Sequence, residues 1–152
     1  MNANEDCIAY AGHLKAEHRE LHQRLRALQS ALNQVQATMI DAPLRERMLQ
    51  TAEQLRQDLW QHFRQEDADG CLEYAVSLVP GLGPEARALT AEHPGLLVGL
   101  DAIIAELRSA QPMELSVAQV KQTFDAFVVQ LLSHEARENR VIERGFNLPL
   151  DE

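Results

Sequence analysis

The chain has only two cysteines, one tryptophan and 5% aromatic residues across its 152 positions. Cys7 and Cys71 are too few for a disulfide framework, so a reducing cytoplasm is the expected compartment. Basic side chains are also in the minority: 14 against 23 acidic ones leave a formal net charge of -9. That balance disfavours a phosphate-backbone surface, and no nucleic-acid partner is expected. Long apolar runs are missing as well. Stretches such as Ile103-Ile104-Ala105 and Phe127-Val128-Val129 fall far short of the roughly 20 residues that span a bilayer, so no membrane association is expected. The acidic start, Met1 to Asp6, lacks the basic and then apolar segments of a signal peptide. No repeat or low-complexity tract suggests a second unit, and one domain over 1–152, with a core at about 4–145, is expected.

Seven glycines and six prolines are clustered rather than scattered, and they cut the chain into four long segments rich in Leu, Ala, Gln, Glu and Arg without strand-type alternation. The reading is all-α. A first helix is expected from about Asn4 to Met39. Asp41 as N-cap and Pro43 in the first turn open a second helix, which runs to Asp69 and stops at Gly70. Cys71 to Leu78 forms a short extra helix. After the break Pro80-Gly-Leu-Gly-Pro84, Pro84 starts a third long helix to Ser109, with a kink or broken turn expected at Pro94. Pro112 marks the next connection. Ser116 caps a fourth helix to about Arg144, with Gly145 as its stop and an irregular tail from Phe146 to Glu152. Four such helices with short connections predict an up-down-up-down four-helix bundle.

Each helix has a seam of apolar residues spaced by three and four, and each seam has polar interruptions. Helix 1 reads Leu14, His18, Leu21, Leu25, Leu28, Leu32, Val35, Met39. Helix 2 reads Leu44, Met48, Ala52, Leu55, Leu59, His62, Glu66. The third long helix reads Leu89, His93, Leu96, Leu100, Ile103, Leu107. The last reads Val117, Val120, Phe124, Phe127, Leu131, His134, Glu138, Val141. His18 lies roughly 24 residues before the first turn and His62 roughly 20 after it; His93 and His134 lie roughly 20 and 21 residues from theirs. All are therefore predicted at one end of the bundle. The pairs His62/Glu66 and His134/Glu138 are i,i+4, so each Glu lies one turn from its His on the same face.

A single core histidine is usually a hydrogen-bonded structural residue. Six coincident polar positions demand more, because two buried carboxylates without cations cost several kcal/mol each and no Lys or Arg occupies the seams. A metal pair supplies the missing positive charge. Imidazole with carboxylate suits iron, manganese or zinc, and the lack of thiolate argues against a structural zinc site.

The run Glu17-His18, His62-Phe-Arg-Gln-Glu66, Glu92-His93 and His134-Glu-Ala-Arg-Glu138-Asn resembles the hemerythrin-like, or HHE cation-binding, family from about Gly12 to Gly145. The resemblance implies a hemerythrin-like bundle holding two iron ions with an oxo or hydroxo bridge, with manganese or zinc as less favoured occupants. It makes His18, His62, His93 and His134 terminal nitrogen ligands, and Glu66 and Glu138 bridging ligands. Two departures stand out. Oxygen-carrying members have His-x-x-x-His on the third helix where this chain has Leu97, and their last carboxylate is an Asp five residues after its His where Glu138 follows by four. Both speak against a carrier. Four His, two bridging carboxylates and a solvent bridge fill about ten of about twelve octahedral positions. Water, His22 or Glu135 could complete the site.

Around the ligands, Glu17, Glu135 and Asp67 are placed to orient imidazoles, and Leu21, Phe63, Leu97, Phe127 and Leu131 to form dry walls. His13 is expected in solvent, and Tyr10 in core packing rather than at the site. The resulting expectation is a cytoplasmic di-iron protein that binds or senses dioxygen, nitric oxide or peroxide, with roles in iron handling or stress response. The alternative is a redox-active di-iron enzyme that turns over peroxide or nitric oxide. A ferritin-like oxidase is opposed by the absence of Glu-x-x-His pairs. A small diatomic or peroxide is the expected partner; no protein partner is indicated, and a homo-oligomer is left open.

Overall fold

The computed structural model describes residues 3–36, 38–109, 111 and 114–149. The connection expected at Pro112 and Met113, residues Met1 and Asn2 of the acidic start and residues 150–152 of the tail lie outside these. All elements among the described residues are helical apart from one isolated bridge: α1 (Ala3–Gln34), α2 (Ala42–Asp69), α3 (Cys71–Leu78), a 3-10 turn (Pro80–Leu82), α4 (Gly83–Ser109) and α5 (Val117–Gly145).

Local chemistry explains most boundaries. The Asp41 carboxylate accepts from the Leu44 backbone N–H at 2.8 Å, Pro43 follows in the first turn, and Gly70 closes α2 with a left-handed φ of 69°. Ser116 caps α5 by accepting from Gln119 N–H at 3.3 Å.

Two boundary expectations change, and of the two alternatives at Pro94 the broken turn is excluded. α1 stops at Gln34 rather than Met39, because 38–40 turn extended and pair with the other connection: Ile40 N–H donates to Leu115 O and Val117 N–H to Thr38 O, both at 2.9 Å. The two connections are thereby tied together at one end. α4 runs unbroken through Pro94, whose ring is exposed while His93 and Leu96 on either side are held in the core; burial of the flanking turns outweighs one lost backbone hydrogen bond. Gly145 belongs to α5, and the left-handed residue that ends it is Asn147, at φ 54°. Gly145 is required for another reason: a Cβ there would lie 2.4 Å from the Cβ of Ala75 in α3.

Cross-helix pairs fix the register. Glu17/His62 and Arg24/Asp58 join α1 to α2, Arg56/Asp101 and Glu53/Arg108 join α2 to α4, Glu92/His134 joins α4 to α5, and Lys15/Glu143 with Gln29/Asp125 join α5 to α1. In every joined pair of helices with two such links, one partner's number rises as the other's falls, so the helices are antiparallel. Among the described residues the interior has two apolar clusters. The larger, which includes Leu21, Leu59, Leu96 and Leu131, fills the end with the tied connections; the smaller includes Leu14, Cys71, Leu89 and Val141. On each long helix the seam polar residues fall between the two, so they form a polar layer across the interior.

The stretch Pro80–Ser109 is long and apolar enough to fit a membrane span by length and composition, a property that core helices share. In the fold its Leu89, His93, Leu96, Leu100, Ile103 and Leu107 face is buried.

Candidate metal centre

The six predicted ligands meet in this polar layer. His18, His62, Glu66, His93, His134 and Glu138 are all buried, the most exposed being His62 at 7%. They form two groups that share both carboxylates: His18, His62, Glu66 and Glu138 in one, and Glu66, His93, His134 and Glu138 in the other, with potential ligand atoms within 4.8 Å of one another. Each carboxylate divides its oxygens between the groups. Glu66 Oε1 lies 2.5 Å from His62 Nε2, and its Oε2 lies 3.2 Å from His93 Nε2. Glu138 Oε1 lies 3.3 Å from His18 Nε2, and its Oε2 lies 3.4 Å from His134 Nε2 and 3.9 Å from His93 Nε2.

The outer ring nitrogens explain which way the rings face. His62 Nδ1–H donates to Glu17 Oε2 at 2.6 Å, and His134 Nδ1–H donates to Glu92 Oε1 at 3.0 Å. With the proton on Nδ1, each Nε2 presents its lone pair inward, as metal ligation requires. Lone pairs then face carboxylate oxygens across the layer, and both oxygens of Glu66 and of Glu138 are buried without a hydrogen-bond partner. A cation must lie between such groups, either a proton or a metal ion.

The electrostatics agree. Burial pulls the His62 and His93 pKa values down, but the surrounding carboxylates, Glu66 and Glu138 foremost, overcome it and push both up to about 9. His134 is raised by Glu138 against the same burial penalty. Burial drives Glu66 above the ordinary carboxyl range; burial pushes Glu138 the same way, but the facing imidazoles of His134, His18 and His93 overcome it and hold Glu138 well below. Protons and a metal ion thus compete for one set of atoms. The donor set, two imidazoles and two shared carboxylates for each of two positions, fits a pair of borderline or hard cations such as iron, manganese or zinc.

The residues expected to orient the imidazoles separate into three cases. Glu17 does so. Asp67 lies 3.4 Å from His93 Nδ1, too long for a strong hydrogen bond. Glu135 instead pairs with His22 across α1 and α5, and neither belongs to the ligand groups among the described residues. Sequence reasoning named Glu92 beside His93 but gave it no orienting role; Arg137 grips it through both oxygens at 2.5 and 2.8 Å. The available signal was its position: Glu17 precedes His18 and Glu92 precedes His93, and each Glu supports a histidine on the neighbouring helix. His13 is exposed as expected but bonds Glu17 at 2.8 Å. Tyr10 packs against the smaller core cluster with its hydroxyl buried. Of the expected walls, Phe63 stacks on His93 at 4.0 Å with planes 8° apart and meets His134 edge-on; Leu97 is only partly buried.

The cysteines are a second omission. Cys7 of α1 and Cys71 of α3 form a disulfide with Cα atoms 5.6 Å apart, buried in the smaller cluster. Two cysteines were expected to be too few for a disulfide framework and so to mark a reducing compartment; the fold pairs them across 64 residues and removes that ground.

Comparison with known proteins returns no matching family model, no similar curated protein and no similar solved structure.

Proposed function

We propose that the chain is an up-down-up-down four-helix bundle of hemerythrin-like type that holds two iron ions and binds or senses dioxygen, nitric oxide or peroxide. The observation that carries this reading is the sharing of Glu66 and Glu138 between two histidine pairs. A carboxylate with one oxygen toward each of two positions is what a bridged metal pair needs, whereas a polar core would pair each oxygen with a donor.

When bound, the irons supply the reversible or redox chemistry with the small molecule. The chain's own groups bind and orient. Glu17 and Glu92 fix the His62 and His134 tautomers, Arg137 fixes Glu92, and Phe63 excludes water from the His93 side. An oxidising setting suits the Cys7–Cys71 disulfide better than the reducing cytoplasm that the small number of cysteines had led us to expect.

The test is optical titration of iron-reconstituted protein with nitric oxide, dioxygen and hydrogen peroxide, combined with a turnover assay in the presence of a reductant. Saturable spectral change without turnover supports binding or sensing. Sustained consumption of peroxide or nitric oxide would replace it with the enzyme reading. No response to any of the three would overturn both.

A further inference from the structure

One cavity has a candidate ligand in its wall. It is a cleft of about 240 Å³ between α1 and α2, lined by Glu17, Glu20, Arg24, Asp58, Gln61 and His62 among others. Its floor is therefore the edge of the candidate metal centre, and Glu17, which holds His62 Nδ1, is exposed to it. On the opposite side a cavity is lined by Glu92 and Arg137 but by none of the six candidate ligands: Phe63 lies flat on His93, His134 is 1% exposed, and Arg137 locks Glu92. The backbones of α1 and α2 also come close to each other at fewer places than those of the other neighbouring long helices do.

The cleft's charge selects what can enter. Glu17, Glu20 and Asp58 face one guanidinium, that of Arg24, and Arg24 is bonded to Asp58 across the seam. The balance is negative, and low-dielectric walls concentrate the field within a cleft. An entering anion would be repelled. A hydrated divalent cation would be attracted, would exchange water for carboxylate oxygen along the way, and would meet His62 at the floor. The volume holds such an ion with several of its waters, each about 30 Å³.

Resting on the metal-binding reading above, we infer that the α1–α2 cleft is the port through which divalent metal cations reach the centre, with the Arg24–Asp58 pair as a bar across its mouth. Glu20 draws cations to the entrance without belonging to the ligand set, and Glu17 passes them from the cleft to the site.

The experiment follows cobalt(II) uptake by intact apoprotein in rapid mixing, reading the ligand-field absorption of the filled site, at low and at high ionic strength. Glu20→Lys should slow uptake roughly tenfold at low salt, within the range that electrostatic steering covers, and the deficit should shrink at high salt. Arg24→Gln should speed uptake several-fold, and Gln61→Trp should slow it at every salt concentration by filling the cleft. All three should reach the parent's final metal content, which separates an entry effect from damage to the site. Parent-like rates in all three variants, each filling completely, would overturn the port and leave the metal centre standing. A parent apoprotein that takes up no cobalt(II) or iron(II) would overturn the metal-binding reading, and the port with it.

Discussion

The two halves of the polar layer are built from the same sequence pattern and supported differently. In each, a Glu-His dipeptide on one helix faces a His-x-x-x-Glu on the next, and the Glu of the dipeptide holds the neighbour's imidazole: Glu17 with His62, Glu92 with His134. On the α4–α5 side, Glu92 is gripped by Arg137 and the rings pack against Phe63. On the α1–α2 side, Glu17 has His13 as its outer partner and faces a cleft. One half is braced; the other opens onto a cavity that His62 lines, whereas the cavity beside Glu92 is lined by none of the six candidates. A buried centre needs both properties, since bracing keeps ligand atoms converged and an opening lets ions and small molecules in; placing them on opposite sides avoids a compromise.

The sharpest way to break the contrast is to remove a group that both halves use. Glu66→Leu should empty both positions, taking metal from about two ions per chain to near none by elemental analysis. Retention of one ion would mean the halves are independent.

The open half has a covalent tether in place of a brace, because Cys7 lies on α1 and joins it to α3 beyond the end of α2. Reduction, or Cys7→Ser, should cost about 2–4 kcal/mol in denaturant unfolding and accelerate loss of metal to a chelator. Equal exchange rates in the oxidised and reduced protein would show that the tether does not serve the open half.

Next in size is the brace itself. Arg137→Ala frees Glu92 and should weaken metal affinity by about 10–100-fold, the usual cost of losing support behind a ligand. His13→Ala, at an exposed pair, should cost far less. Competition titration with a chromogenic chelator measures both, and equal losses would erase the distinction between the halves.

The last expected effect is that of pH on the apoprotein. His62 and His93, one in each half, have folded-state values raised to about 9 from an ordinary 6.5. Their stabilisation is fully present below about pH 6.5 and is lost as pH rises through 9. Apoprotein melting temperature should therefore fall over that interval, while the metal-loaded protein, with no protons left to lose at those nitrogens, should change less.

The six candidate ligands were legible because each breaks an apolar seam, and seam position is what a helix carries directly from sequence to interior. Asp41, Pro43, Gly70 and Ser116 were legible for a similar reason: caps act within a turn of themselves. The misses all needed a partner distant in sequence. Val35 and Met39 continue the α1 periodicity without a stop residue, so only the pairing of 38–40 with 115–117 reveals where the helix ends. Gly145 resembled a helix stop, but its lack of a side chain serves the approach of Ala75. Glu92 with Arg137, His22 with Glu135, and Cys7 with Cys71 lie on helix flanks or separate elements, where periodicity carries no information about who meets whom.

The central claim is that two carboxylates shared by two histidine pairs hold two metal ions. Its most direct test is metal per chain, by elemental analysis of protein expressed in iron-replete medium and purified without a metal-affinity tag. The account expects about two irons per chain. A chain with no metal, even after anaerobic reconstitution with iron(II), would contradict it and leave the layer as a polar core held together by protons.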